Sequence, residues 1–205
     1  ERFVKNLQLP QEIVDNLYQK RNDEQLKIFS LSIPTLLYPD TYVLAGRLLM
    51  YVHIKNCPRK IEEYIDILDG LLRPEIKDFM STHSLTLNQL LDETYYKNFE
   101  NHNILSASAN INYLVRISHD ESPLETPCQM MLRQAVQFYH DESIEKVIRC
   151  YYELINQDYV HASPTMFNAA CMKNQMSSCF LLTLGDNLES LLYSGAGDVG
   201  SISKL

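Results

Sequence analysis

Residues 127–157 read PCQMMLRQAVQFYHDESIEKVIRCYYELINQ, and this stretch decides the fold class. Its apolar residues recur every three or four positions, which is the period of amphipathic helices. The stretch predicts two helices, at about Pro127–His140 and Ser143–Gln157. The apolar side chains at helical spacing in the second helix are Ile144, Val147, Ile148, Tyr151, Leu154 and Ile155. Two neighbouring amphipathic helices indicate a helical bundle.

The same pattern covers most of the chain upstream. Residues 10–56 predict three successive helices, the last from Thr41 to about Lys55, and residues 59–100 continue the pattern. Polar clusters at 81–84, 97–101 and 119–123 are expected to be connections. The cluster at 97–101 is a candidate boundary between two sub-bundles.

The pattern changes at residues 177–184, SSCFLLTL, which are short and almost wholly apolar. Turn-prone residues 185–187 follow, so the stretch predicts a fully buried strand. A lone strand leaves its backbone groups unpaired. Either this strand joins a sheet formed elsewhere in a longer chain, or the strand prediction is wrong.

Composition limits the classes of function. The chain has 205 residues, 45% hydrophobic and 21% charged, which excludes disordered and collagen-like proteins. A formal net charge of −8 argues against binding nucleic acid. No apolar run approaches the roughly 18 residues that cross a bilayer, so no membrane partner is expected. Five scattered cysteines and no apparent secretory leader indicate free thiols in the cytoplasm.

Two motifs have the residue spacing of a binding site but lack the other features that such a site needs. His53 and Cys57 lie four residues apart on a predicted helix, but no second pair has ligand spacing, so no metal is expected. The stretch Gly195–Gly200 matches G-x-G-x-x-G, yet no strand directly precedes it and no acid follows about twenty residues later. We expect a flexible turn or chain end there.

Residues 161–168, HASPTMFN, and Ser177-Ser178-Cys179 are the candidates for chemistry. Ser163 precedes a proline and is predicted outside helical geometry, which frees its hydroxyl and the neighbouring amides to bind a ligand. Cys179 begins the predicted strand beside two hydroxyls. The residues alone leave two interpretations open: an inert core thiol, or a thiol that performs redox chemistry on a bound ligand.

These two segments carry a resemblance to a known family. Residues 162–169, ASPTMFNA, through 177–182, SSCFLL, resemble without a gap the entrance to the catalytic barrel of the class I ribonucleotide reductase large subunit. Residues 125–127, 130–133 and 186–189 extend it, and YVLAGR at 42–47 is similar to the family's Leu-Ala-Ala-Arg helix. The chain resembles the divergent copies of large DNA viruses more than the cellular enzyme.

The resemblance implies the fold class and the domains. It implies a mainly α N-terminal helical domain that leads into the first strand of a reductase-type α/β barrel. Residues 1–40 resemble the helical part of an ATP-binding cone, residues 41–160 the N-terminal helical domain, and residues 161–205 the start of the barrel. The cone's lysine-containing strand is missing, which puts control of overall activity by ATP and dATP in question.

The resemblance also implies an activity, the reduction of ribonucleoside diphosphates to 2′-deoxyribonucleoside diphosphates for DNA replication. A thiyl radical, generated from a partner small (beta) subunit, abstracts a ribose hydrogen, and a cysteine pair supplies the electrons. Cys179 matches the first reducing cysteine, and Ser163 and Ser178 match substrate contacts. Asn187 stands at the effector site, where an aspartate is usual. ATP and deoxynucleoside triphosphates are the implied effectors, and no cofactor is expected to bind this chain directly.

Two departures from the family leave a second hypothesis open. The radical cysteine and the second reducing cysteine would lie beyond Leu205. Gly195 and Gly197 fall in the helix that forms the family's homodimer, where each costs about 1 kcal/mol relative to alanine. The chain is therefore either part of an active reductase or an inactive homologue that acts by binding another protein.

Overall fold

The computed structural model describes residues 2–33, 37–114 and 123–204. These residues form a helical bundle that begins with a 3-10 turn at Arg2–Val4. The α-helices are α1 (Gln11–Tyr18), α2 (Asp23–Ser32), α3 (Pro39–Ile54), α4 (Ile61–Ile67), α5 (Pro74–Thr82), α6 (Ser84–Thr94), α7 (Lys97–Glu100), α8 (Ile104–Tyr113), α9 (Pro127–Tyr139), α10 (Ile144–Ile155), α11 (Ser163–Asn168) and α12 (Gly197–Ser203). A π-helical segment, Ser190–Ala196, leads directly into α12. The connection predicted at 119–123 lies outside the described residues except for Pro123.

The helices α9 and α10 confirm the two helices predicted from the deciding stretch. Thr126 and Gln129 form a capping box at the start of α9: Thr126 Oγ1 accepts the Gln129 N–H at 3.2 Å, and Gln129 Oε1 accepts the Thr126 N–H at 2.8 Å. Ser143 Oγ accepts the Lys146 N–H at 3.3 Å and caps α10. These side chains satisfy backbone donors that a helix N-terminus leaves unpaired.

Apolar side chains bury themselves in three clusters. The largest is formed by α4, α5, α6, α9 and α10. A second joins α1 and α2 to the first half of α3, and a third joins the second half of α3 to α7 and α8. Because α3 contributes to two clusters, it connects the N-terminal helices to the rest of the bundle.

A buried ion pair lies beside the largest cluster. The side chains of Arg133, on α9, and Glu125, just before α9, are both fully buried. Arg133 donates from Nε and Nη2 to the two Glu125 oxygens at 3.1 and 2.8 Å, and the Tyr64 hydroxyl on α4 donates to the same carboxylate at 2.6 Å. Burial alone would lower the pKa of Arg133, but the Glu125 charge more than offsets burial and raises it.

The remaining N–H groups of Arg133 reach α11 and the residues after it. Nη2 donates to the Met166 carbonyl at 2.7 Å, and Nη1 donates to the Ala169 carbonyl and lies 3.8 Å from Cys171 Sγ. All five N–H groups of the guanidinium therefore have an acceptor. Because it has five N–H donors, the buried arginine can bind Glu125 and the backbone around α11 at once. It therefore joins α9 to α11.

The connection predicted at 97–101 is wrong. Most of this stretch is α7, and Phe99 is buried in the third apolar cluster. Asn98 is also buried, and its Oδ1 accepts the Cys128 N–H of α9 at 2.8 Å. Polar residues are typical of surface connections, whereas Asn98 is a buried hydrogen-bond acceptor.

The strand predicted at 177–184 is also wrong. The described residues contain no strand, and these positions are exposed, with Leu181 99% accessible. A strand needs a neighbouring strand for its backbone hydrogen bonds, and the described part of the chain supplies none. The described residues therefore have a mainly helical fold, and the strand expected to begin an α/β barrel is not formed at 177–184.

The flexible turn expected around Gly195–Gly200 is helical instead. The π-helical segment contains Gly195, and α12 contains Gly197 and Gly200. The low helix propensity of glycine weakens a helix by about 1 kcal/mol per residue without preventing it.

One glycine of the bundle has a steric role. Gly46, on α3, lies against the backbone at the start of α8, where a Cβ atom would sit 2.0 Å from the carbonyl carbon of Asn103. No side chain can occupy that space unless the two helices separate. Close packing against α8 therefore accounts for the glycine that this chain has where the Leu-Ala-Ala-Arg pattern has its second alanine.

Replacing Gly46 with alanine is expected to destabilise the protein by about 2 kcal/mol, because α3 and the start of α8 must move apart. Gly197 is the matched control, since it is also helical and an added Cβ there meets nothing within 4 Å. Gly197→Ala should stabilise its helix by about 0.5–1 kcal/mol. Urea unfolding followed by circular dichroism measures both changes, and equal stabilities would contradict the close approach.

A buried histidine lies between α7 and α8. His102 is 4% exposed, and its Nε2 accepts a hydrogen bond from Asn110 Nδ2 at 2.7 Å. Within the described residues its buried Nδ1 has no partner. Burial disfavours the charged ring and lowers the pKa of His102 to about 4.

The protein is expected to lose stability as the pH falls from about 6.5, the ordinary pKa of an unfolded histidine, towards 4. Protonation then favours the unfolded chain, by about 1.4 kcal/mol per unit of pKa difference. His102→Gln should remove up to about 3 kcal/mol of this loss. Urea unfolding at pH 7 and pH 4.5 tests the prediction, which fails if wild type and variant lose stability equally.

Candidate functional site

The first candidate residue, Ser163, opens the short helix α11. Ala162 is the N-cap, and its carbonyl accepts the Thr165 and Met166 N–H groups at 3.0 and 3.2 Å. The prediction that Ser163 lies outside helical geometry is therefore wrong. Pro164 fits because the first helical turn needs no N–H from it. Within the described residues, the Ser163 hydroxyl and backbone N–H make no hydrogen bond.

The residues after α11 are held to the bundle through their backbone. Ala170 has a φ of 64°, a left-handed conformation that is rare for a residue with a Cβ atom. Its N–H donates to Gln137 Oε1 at 2.7 Å, and its carbonyl accepts the Arg73 N–H at 3.0 Å. Met172 N–H donates to the Leu71 carbonyl at 2.8 Å. The sharp turn after α11 is thus fixed against α9 and the start of α5.

Ser178, the second candidate substrate contact, and Cys179, the candidate redox thiol, follow this turn. Ser178 and Cys179 are exposed and lie outside any helix. No hydrogen bond joins Ser163 to Ser178 or Cys179 in the described part of the chain. The structure therefore holds the segment between them without a hydrogen bond among the three side chains.

Asn187 caps the helical segment that follows it. Its Oδ1 accepts the Ser190 N–H at 2.7 Å, and Ser190 Oγ accepts the Gly185 N–H at 2.8 Å. Asparagine and aspartate are equally good residues for this position. An asparagine at this position can therefore hold the helix start in place without a charge.

The five cysteines all lie in the described residues, and they differ in exposure. Cys57, Cys128 and Cys150 are buried, Cys171 is partly buried, and Cys179 is exposed. Burial raises the pKa of Cys57 and of Cys128 to about 12, and it also raises the pKa of Cys150 and Cys171. A thiol with a raised pKa is a poor nucleophile near neutral pH. Cys179 is the cysteine most accessible to solvent and to other molecules.

His53 and Cys57, which lie four residues apart on α3 and just after it, are in contact. Cys57 Sγ lies 3.5 Å from His53 Nε2, which also lies 3.0 Å from the Glu125 carbonyl oxygen. Across the described ranges, no group of three or more His, Cys, Asp or Glu side chains could hold a metal ion. In the same ranges, no helix has the length and apolar character needed to cross a bilayer.

Sequence reasoning missed the structural role of Arg133 and Glu125. Arg133 occupies a core position of an amphipathic helix, three residues after buried Met130 and three before buried Val136. A charge at such a position needs a buried partner. An arginine at a core position therefore indicates a buried acidic partner, which here is Glu125, eight residues earlier.

Comparison with known proteins identifies relatives along most of the chain. The family model described as "Ribonucleotide reductase, all-alpha domain" matches residues 93–171. The ribonucleoside-diphosphate reductase large subunit of African swine fever virus (isolate Pig/Kenya/KEN-50/1950) is 30% identical over 93% of this chain and 25% of its own length. The large chain of Schizosaccharomyces pombe is 30% identical over 83% of this chain and 22% of its own.

A third relative, the large subunit of Plasmodium falciparum (isolate FCR-3 / Gambia), is 30% identical over 75% of this chain and 20% of its own length. These three relatives, one viral and two cellular, are each 30% identical to the chain where they match. The chain spans about a fifth to a quarter of the length of these relatives. By these similarities, the chain belongs to the family of ribonucleoside-diphosphate reductase large subunits.

Proposed function

We propose that this chain is the N-terminal part of a large subunit that reduces ribonucleoside diphosphates to 2′-deoxyribonucleoside diphosphates. One observation carries the proposal: Cys179 is the exposed thiol among the five cysteines, and it stands in the Ser-Ser-Cys motif that resembles the family's active site. The other four thiols are wholly or partly buried in the bundle. Free thiols suit a reducing compartment such as the cytoplasm.

Cys179 is proposed to supply electrons as one of two reducing thiols. The two thiols become a disulfide and give two electrons and two protons to the substrate, and the 2′-hydroxyl leaves as water. The second reducing thiol and the radical-bearing thiol are expected outside residues 1–205. The large subunit would obtain its radical from a small subunit.

The substrate and effector roles are proposed for the residues that match the family. Ser163 and Ser178 have hydroxyls that can donate to the oxygens of a diphosphate. Asn187 lies at the start of a helical segment, in the position of the family's nucleotide-effector site. ATP and deoxynucleoside triphosphates are the proposed effectors, and the homodimer of the family is the proposed assembly.

The second hypothesis, an inactive homologue that binds another protein, depends partly on glycines expected to disrupt the helix that forms the dimer. Residues 190–203 are nevertheless helical. We therefore retain the enzyme as the proposed function.

Replacing Cys179 with serine is expected to abolish dithiol-dependent reduction of CDP by the full-length subunit with its small subunit, because serine cannot form the disulfide. Cys57→Ala is the matched control: it removes a buried thiol outside the motif and should keep most of the turnover. Product formation is measured by chromatography of the nucleosides. Full activity in Cys179→Ser would refute the redox role, and loss in both variants would show that the loss is not specific to Cys179.

A further inference from the structure

Two side chains on one face of α9 hold the segment that carries the proposed substrate residue. Arg133 and Gln137 lie four residues apart, so they are neighbours on the helix surface. Arg133 binds the backbone of α11, and Gln137 binds the turn that follows. Both bind main-chain atoms, which fixes the path of the segment.

Arg133 acts on the end of α11. Its guanidinium donates to the carbonyls of Met166 and Ala169, at and just beyond the C-terminal end of the helix. These carbonyls are among those that a helix C-terminus leaves without an intrahelical donor, and a cation is favoured there. The ion pair with Glu125 holds the guanidinium in place for these contacts.

Gln137 acts on the turn. Its Oε1 accepts the Ala170 N–H at 2.7 Å and Arg73 Nη2 at 3.0 Å. Arg73 in turn donates its backbone N–H to the Ala170 carbonyl at 3.0 Å. Ala170 is therefore bound on both sides while it adopts a left-handed φ of 64°. A conformation of this kind persists where the surroundings over-determine it.

The segment has a candidate residue on each side of this turn. Ser163 is at the start of α11, and Ser178 and Cys179 follow after the stretch tied down by the Asn168 Nδ2 bond to the Gln175 carbonyl at 2.7 Å. A shift of the turn would displace Ser163 relative to the residues that follow. Small displacements of substrate-positioning groups are costly to a reaction rate.

We propose that Arg133 and Gln137 are positioning residues of the reductase, which set Ser163 and the Ser178–Cys179 segment in place by holding the backbone of α11 and the Ala170 turn. The proposal rests on the proposed function. Neither side chain needs to touch the substrate.

Gln137 gives the cleaner test, because it is only half-buried and lies outside the ion pair. In the full-length subunit with its small subunit, Gln137→Met removes the acceptor while keeping the side-chain length. We expect kcat/KM for CDP to fall at least tenfold, chiefly through a higher KM, because Ser163 is a substrate contact. Gln137→Glu keeps an acceptor for Ala170 and should restore KM to within about threefold of wild type. Gln89→Met makes the same change at an exposed position of α6 and should match wild type.

The fraction of folded protein at the assay temperature separates positioning from stability. The proposal requires Gln137→Met to be fully folded by circular dichroism and still to show the raised KM. A wild-type KM in Gln137→Met, or equal losses of activity in Gln137→Met and Gln137→Glu, would overturn the positioning role alone. A folded wild-type subunit that does not reduce CDP would instead overturn the proposed function, and this inference with it.

Discussion

The ion pair between Arg133 and Glu125 is the interaction on which the rest of the structure depends. Both side chains are fully buried. Removing two charges from water costs several kcal/mol per ion, and their attraction compensates only if the remaining donors and acceptors are also satisfied. Here the Tyr64 hydroxyl binds the carboxylate, and two backbone carbonyls bind the guanidinium. The pair therefore requires α4, α9 and α11 to be in place together.

This requirement links the helical bundle to the candidate site. The largest apolar cluster positions α9, and α9 directs Arg133 and Gln137 at the backbone of α11 and its following turn. Cys179 lies further along the same segment and is exposed, while the other cysteines are wholly or partly buried in the bundle. The bundle can thus serve as a rigid support for the segment that carries Ser163, Ser178 and Cys179.

The helices and the family could be predicted from the sequence, whereas the long-range contacts could not. Periodicity reports which residues face a core, and it identified α9 and α10 directly. It cannot report that Asn98 is buried as an acceptor for α9, or that Gly46 allows a backbone to approach. The strand prediction at 177–184 is wrong for a related reason. Its apolar residues are suited to a sheet, but a strand needs neighbouring strands, and the described residues contain none. The resemblance identified Cys179 and Ser163 as candidates, but it did not indicate which residues hold them.

The unfolding free energy of Glu125→Gln is the most direct test of the central role of the ion pair. The substitution keeps the shape of the side chain and leaves the buried Arg133 charge without its counter-ion, so urea unfolding should show a loss of about 3–5 kcal/mol. Glu153→Gln, which removes the acid of a surface pair with Arg149, is the matched control and should change stability little. A loss in Glu125→Gln no larger than that of the control would contradict the account.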